Sequence, residues 1–333
     1  MKELLARLSA AFGPAGREEE VRALLKQELT QVGSPDAVVD DLGNLIVTRG
    51  KDADQKILVA AHMDQIGFMV TFIEENGFLR FTPVGGIQAK SLPGMRLRFG
   101  GGTTGVIGQE KLKAQKDLDF SKLYVDMGVN DREEAEKQVQ IGDTAVFDAP
   151  LVMEGNRYIA GAMDNRAGCT VLLETLRRLP TDLPQSVCFV FTVQEEVGLR
   201  GAQAVSYRLN PHFGLAVDVT RTGDTPEPQF KTPVSLGKGP AIKIRDSSVI
   251  CHPRVTALMR RVADQNSIPH QFEVLEQGGT DAGAIHLSRA GVPTGAVSIP
   301  CRYIHTPGEM VDSADLENGV SLLLALLQTE WKW

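Results

Sequence analysis

The segment Ile57-Leu58-Val59-Ala60-Ala61 is uninterrupted apolar sequence that stops abruptly at His62-Met63-Asp64. A strand with one wet face alternates apolar and polar side chains, so a run with no polar residue expects cover on both faces, as in the central sheets of α/β proteins. Leu45-Ile46-Val47, Val187 to Val193, Leu215 to Val217 and Thr294 to Ile299 read as further short strands. Helical patterns lie between them. Past a break at Gly13-Pro14-Ala15-Gly16, the residues Val21, Leu24, Leu25, Leu29 and Val32 recur at helical spacing, and helices are expected at Ala167 to Leu179, Val255 to Asn266, Ala282 to Ala290 and Leu316 to Thr329.

This α/β alternation is split. From about Gly67 to Gly161 short β-like runs are punctuated by Gly85-Gly86, Pro93-Gly94, Gly100-Gly101-Gly102, Gly105 and Gly108, with few long helical patterns. A mostly β domain inserted at a loop of one α/β domain accounts for the change, because such an insertion leaves the host core intact. The expected division is 1–67 with 162–333 as the α/β domain and 68–161 as the insert. Pro226, Pro228 and Pro233 mark a surface loop.

With 333 residues, 42% apolar and 23% charged, the chain has material for a large core. A net charge of -7 and the lack of a basic run interleaved with aromatics argue against a nucleic-acid partner. No apolar run approaches the roughly 20 residues of a membrane span. Met1 leads into Lys2-Glu3 and an amphipathic pattern, unlike a secretory signal, and the expected location is the cytoplasm. Cys169, Cys188, Cys251 and Cys301 form no Cys-x-x-Cys pair, which fits reduced, buried thiols.

Acidic and imidazole side chains stand after strands or at a helix start in five places: His62-Met63-Asp64, Asp164-Asn165-Arg166, Glu195-Glu196, Asp218 and His305. Singly, each has an ordinary structural use: a histidine that packs, a solvated Glu pair, an Asp that caps a helix or closes a turn. His212, His252, His270 and His286 are assigned such uses. Together the five suggest one site, because an open α/β sheet gathers ligands beyond the carboxyl ends of its strands. Imidazoles and carboxylates form a donor set for zinc or a similar divalent ion. Two such ions polarise a scissile carbonyl and acidify a shared water, which suits amide hydrolysis. Asp64 lies on the same side of an extended segment as His62 and could hold its ring N–H. Of Glu195 and Glu196, one would bind metal and the other act as general base.

Ala61-His62-Met63-Asp64-Gln65-Ile66-Gly67, Ala162-Met163-Asp164-Asn165-Arg166-Ala167-Gly168, Gln194-Glu195-Glu196-Val197-Gly198, Gly278-Gly279-Thr280-Asp281-Ala282-Gly283-Ala284 and Arg302-Tyr303-Ile304-His305-Thr306-Pro307 resemble, in order, the motifs of the glutamyl and deblocking aminopeptidases. This family includes the tetrahedral aminopeptidases. The resemblance implies a three-layer, mixed-sheet metallopeptidase domain with an inserted β domain. It also implies two divalent ions, zinc or cobalt, one held by His62, Asp164 and Asp218 and the other by Asp164, Glu196 and His305. Glu195 would then be the general base, Asp64 would orient His62, and Thr280-Asp281 would lie near the cleft without binding metal. Short peptides are the implied substrates, and the insert is implied to mediate dimerisation towards a twelve-subunit shell. One departure is Gly161, where many relatives carry Lys.

Paired carboxylates also serve glycosidases, but those need no metal and would leave the histidines without a joint role. A non-catalytic scaffold would not require Glu195. A carboxypeptidase or deacylase with the same ligands is the nearest rival.

Overall fold

The computed structural model describes residues 1–34, 36–50, 55–228 and 231–332. Four parallel strands form its centre, in the order Ser186–Thr192, Lys56–His62, Phe213–Arg221, Thr294–Arg302. Leu45–Arg49 joins one side antiparallel, and Glu309–Asp312, Arg157–Ala160 and Val152–Glu154 continue antiparallel on the other.

The apolar run of Lys56–His62 shows why these strands are central. Ile57, Val59 and Ala61 face a core shared with the helices Lys2–Ala10, Met163–Arg178, Pro253–Gln265 and Ser313–Leu327. Leu58 and Ala60 face the opposite cluster, with Ala202 and Val205 of the helix Arg200–Leu209 and Ile285. Helices thus cover both faces, giving three layers. Each fully buried Leu, Ile or Val contributes about 1.5–3 kcal/mol, and here both pleats of the strand contribute.

Gly67–Ile73, Leu79–Val84, Leu123–Asp126, Thr104–Gln109, Arg96–Phe99 and Thr144–Phe147 close into a separate barrel. Its interior is a second core, in which Phe68 meets Phe81 and Phe147 edge-on at 5.4 and 5.2 Å. Closure leaves no unpaired strand edge. Three sequence expectations need adjustment here. Val152–Glu154 and Arg157–Ala160, read with the insert, pair into the large sheet beside Glu309–Asp312. The helix expected over Ala282 to Ala290 is only Ala282–Ile285, because the chain turns through left-handed Arg289 (φ 50°) and Gly291 (φ 102°) to reach the strand at Thr294. The strand expected to stop at Val217 runs on to Arg221, so Asp218 lies within it.

Glu18 ties the Gly13 to Gly16 break to the central sheet. Its Oε1 accepts from the N–H groups of Gly16 (2.7 Å) and Gln194 (3.2 Å) while the residue is buried. Burial, aided by the charge of Asp64 and opposed by these hydrogen bonds, pushes its carboxyl from 4.5 to about 7. A carboxyl raised on folding gives stability that is complete below its unfolded pKa and lost as pH rises through the folded one. The window is therefore about pH 4.5 to 7, and the shift corresponds to about 3 kcal/mol. Glu18→Gln keeps the acceptor without the ionisation. Its melting temperature should match the parent near pH 4.5 and exceed it at pH 8; a difference independent of pH would refute the assignment.

Candidate metal centre

His62 ends its strand in register with Thr192, the last residue of the parallel neighbour. Both chains leave the sheet at the same edge, so Glu195 and Glu196, just past Thr192, arrive beside His62. Asp218 comes from the next strand, and His305 from the turn after Thr294–Arg302. Asp164 stands at the start of the helix Met163–Arg178, where Asp164 and Asn165 depart from helical angles before the regular helix begins; the peptide bond between them is cis. Strand order reverses around Lys56–His62, with one parallel neighbour to each side, which is where open α/β sheets form a crevice.

The side chains converge there. His62 Nε2 lies 3.1 Å from Asp164 Oδ1 and 3.5 Å from Asp218 Oδ1. His305 Nε2 lies 3.3 Å from both Asp164 Oδ2 and Glu196 Oε2. Asp164 therefore presents one oxygen to each imidazole. Donor atoms of His62, Asp164 and Asp218 all fall within 4.8 Å of one another, as do those of Asp164, Glu196 and His305. Glu195 belongs to neither group, its Oε2 standing 4.0 Å from His62 Nε2.

Main-chain carbonyls set the tautomers. His62 Nδ1 is 3.2 Å from the Asp64 carbonyl oxygen and His305 Nδ1 is 2.8 Å from that of Gly86. A carbonyl can only accept, so Nδ1 of each neutral ring carries the proton and Nε2 directs its lone pair into the cluster. Gly86 lies in the loop leaving the barrel strand Leu79–Val84. A Cβ there would meet His305 Nδ1 at 3.1 Å, a close approach that favours glycine.

Asp64 does more than its spacing from His62 suggested. Its carboxylate is 3.5 Å from His62 Nδ1, but Oδ1 and Oδ2 accept from the backbone N–H groups of Glu195 (3.0 Å) and Glu196 (3.1 Å). Glu309 does the same on the other side: Oε2 accepts from Asp164 N–H (3.0 Å) and Oε1 from His305 N–H (2.7 Å). Sequence reasoning missed Glu309, which opens a four-residue strand with an acid at each end and has no motif around it. Thr280 and Asp281 are buried behind the cluster, with Asp281 accepting from the Thr192 hydroxyl. His252, His270 and His286 contact main-chain groups within four residues, and His212 Nδ1 accepts from the Lys56 N–H across the fold. At Gly161 an added Cβ would make only ordinary contact with Ala149, at 3.5 Å.

The sequence profile described as M42 glutamyl aminopeptidase matches residues 43–322. The chain belongs to the M42 family. A protein of Acetivibrio thermocellus named as a putative aminopeptidase is 47% identical, over 97% of each chain. The structure of aminopeptidase APDkam598 from the archaeon Desulfurococcus kamchatkensis superposes with a TM-score of 0.94 at 38% identity, covering 98% of this chain and 94% of that one. The Pyrococcus horikoshii TET1 peptidase, described as assembling into a tetrahedron or a large octahedral shell, gives 0.87 at 34% identity, with 98% of each covered. A Thermotoga maritima structure named as an endoglucanase gives 0.83 at 34%, with 97% and 96% covered. This M42 chain is accordingly a peptide hydrolase.

Electrostatics test whether the M42 site suits cations. Burial, with the charges of Asp218, Glu196 and Asp281 and against that of His62, raises Glu195 well above the carboxylate range. Burial and the charge of Asp164 raise Glu196, and burial raises Asp218. Burial opposes protonation of His305, yet its hydrogen bonds to Asp164 and Glu196 push it up to about 12. Crowded carboxylates holding protons on imidazoles indicate a site short of positive charge. Glu196 Oε1 is buried without a hydrogen bond. Nitrogen and oxygen donors in two triads sharing one carboxylate fit a pair of divalent ions.

Asp64→Asn replaces an acceptor by a donor facing one of the two amides. It should destabilise the protein by about 1–3 kcal/mol in thermal melts. An unchanged melting temperature would show that these amide bonds are not what Asp64 supplies.

Proposed function

We propose that this M42 hydrolase removes N-terminal residues from short peptides with two divalent ions, one on His62, Asp164 and Asp218 and one on Asp164, Glu196 and His305. The observation that carries the reading is the pair of triads sharing Asp164, with a further carboxylate, Glu195, beside them and outside both. Zinc or cobalt suits the donor set. When bound, such ions polarise the scissile carbonyl and lower the pKa of water towards neutrality.

The chain's own groups then have defined tasks. Glu195 accepts the proton of the attacking water on its carboxylate and delivers it to the leaving amine. Asp64 holds the main chain of Glu195 and Glu196 so that one side chain binds and its neighbour stays free. Glu309 holds Asp164 and His305 in the same manner. A cavity of about 450 Å³, lined by His62, Asp164, Glu195, Glu196, Asp218 and His305, gives room for the substrate at these groups. A glycosidase reading leaves the imidazoles and the shared Asp164 unexplained.

Removing the metal should abolish hydrolysis of an aminoacyl chromogenic substrate, and zinc or cobalt should restore it. Retention should weaken on acidification, because the imidazoles must be neutral and the carboxylates ionised. Glu196→Ala should lower both metal content and rate. Glu195→Gln should retain metal while turnover falls by roughly 10² to 10⁴. Equal metal loss in both, or near-normal turnover in Glu195→Gln, would overturn the roles.

The barrel is further proposed to carry a subunit contact on the way to a closed shell of twelve copies. Support comes from its separate core and from the assemblies described for the Pyrococcus relative. A monomer by light scattering at micromolar concentration would contradict it. Four buried, unbridged thiols support a reducing compartment such as the cytoplasm. Among the described residues no helix is long and apolar enough to cross a membrane.

A further inference from the structure

Gly278 and Gly279, with Ser247 and Ser248, wall a part of the cavity at the metal cluster that holds no candidate ligand. Neither loop belongs to a strand or helix, so its position depends on side-chain bonds. Some of these join the loops to each other. The Ser247 hydroxyl donates to the Gly278 carbonyl, and a Cβ on Gly283 would meet Ser248 Oγ at 2.5 Å, so the glycine leaves Ser248 its seat. Asp246 shapes the first loop: its Oδ1 accepts from the Ser248 N–H (2.8 Å), the Ser248 hydroxyl (2.8 Å) and the Val249 N–H (3.0 Å).

The anchor of both loops is a buried ammonium. Ala241–Arg245 runs antiparallel to Thr294–Arg302 and parallel to Gln271–Val274, which sets Lys243 beside Glu273. Lys243 Nζ donates to Glu273 Oε1 (2.7 Å), stands 3.2 Å from Asp246 Oδ2, and Lys243 borders the cavity. Glu273 Oε1 also accepts from the Thr220 hydroxyl at 2.6 Å. Thr220 lies two residues past Asp218 on one strand, hence on the same face. Polar contacts therefore run without a break from the strand of Asp218 through Glu273, Lys243 and Asp246 to Ser248, while Ser247 carries them to Gly278. All three charged side chains are buried. Well-packed apolar residues of similar volume would often serve stability equally, because desolvation offsets the attraction of buried ions. What the charges add is direction, since the bonds of Nζ are satisfied only where Asp246 and Glu273 now stand.

We propose that Lys243 is a positioning residue: through Asp246 and Glu273 it fixes this wall relative to the strand of Asp218, and so sets the width left for the substrate's side chain. The proposal rests on the peptidase reading above. Ser247, Ser248, Gly278 and Gly279 are uncharged and Lys243 is answered within the fold, so selection along this wall is by size.

Lys243→Met combined with Glu273→Gln removes the ammonium and one carboxylate together, so the group keeps its net charge while the bonds of Nζ are lost. On the metal-loaded protein, kcat/KM is measured for alanyl-, leucyl- and phenylalanyl-p-nitroanilide. The spread across the three should shrink by roughly tenfold in the double variant, the low end of what a shaped pocket gains from one methylene. The change should fall in KM and not in kcat, with metal content unchanged. Glu273→Gln alone keeps an acceptor for Lys243 and Thr220 and should retain the parental spread. Backbone hydrogen exchange reads the wall without turnover: amides of 246–249 and 275–280 should exchange faster in the double variant and as in the parent in Glu273→Gln. A parent that does not discriminate, an equal loss on all three substrates, a loss of metal or unchanged exchange would overturn the proposal, while hydrolysis by the parent keeps the peptidase reading. If the double variant does not fold, Ser247→Ala, an exposed change that cuts the tie to Gly278, carries the test. Faster exchange at 275–280 with a reduced spread then supports the proposal, and the absence of either refutes it. If the parent cleaves none of the substrates, the peptidase reading fails instead and exchange alone decides: faster exchange in the variant supports the positioning role of Lys243, and unchanged exchange refutes it.

Discussion

Two buried carboxylates hold the centre of this molecule by binding main-chain amides. Asp64 accepts from Glu195 and Glu196, and Glu309 accepts from Asp164 and His305. Each pair of N–H groups lies where chain has just left regular structure or is about to enter it, so no ladder or helix partner is available. A neutral acceptor would satisfy one such amide well; a carboxylate satisfies two, and the ionised oxygens strengthen both bonds. The cost is a buried negative charge beside others. For Glu309, burial and the neighbouring Asp164 raise the carboxyl to about 8 in spite of its two amide bonds. That cost is consistent with a centre designed around cations, whose charge would offset it.

The barrel is joined to this centre and is not a remote appendage. Its own interior is closed and apolar. Yet the loop leaving Leu79–Val84 brings Gly85 against Ile66 and Glu196, and Gly86 against His305. The Gly86 carbonyl fixes which nitrogen of His305 faces Asp164 and Glu196. Motifs of the large α/β sheet and a loop of the barrel thus meet at one triad of candidate donors, Asp164, Glu196 and His305.

Charge divides the accessible space around the cluster. Carboxylates crowd the side where the ions would bind, and Arg302, answered by Asp224, stands in the wall of an adjoining cavity. Coulomb attraction at a half-buried surface is screened much less than in bulk water.

Much of this was written in local sequence. The run from Ile57 to Ala61 had to be covered on both faces, because burying a continuous apolar strand on one side only would leave half of it in water. The glycine punctuation after Gly67 marked a change of architecture, and the acidic and imidazole residues His62, Asp164, Glu195, Glu196, Asp218 and His305, near strand ends or a helix start, marked the candidate site. Local pattern erred where pairing across the sheet decides: Val152–Glu154 and Arg157–Ala160 look like more of the insert, but their hydrogen-bond partners belong to the large sheet. It also carried the helix at Ala282 past its end, since the turn that stops it serves the entry to Thr294. Asp64 was visible beside His62, yet its bonds to Glu195 and Glu196 join residues over a hundred positions apart. Nothing local marks the roles of Glu309 and Gly86, because a carboxylate or a carbonyl becomes functional only through the amide or imidazole that folding places against it.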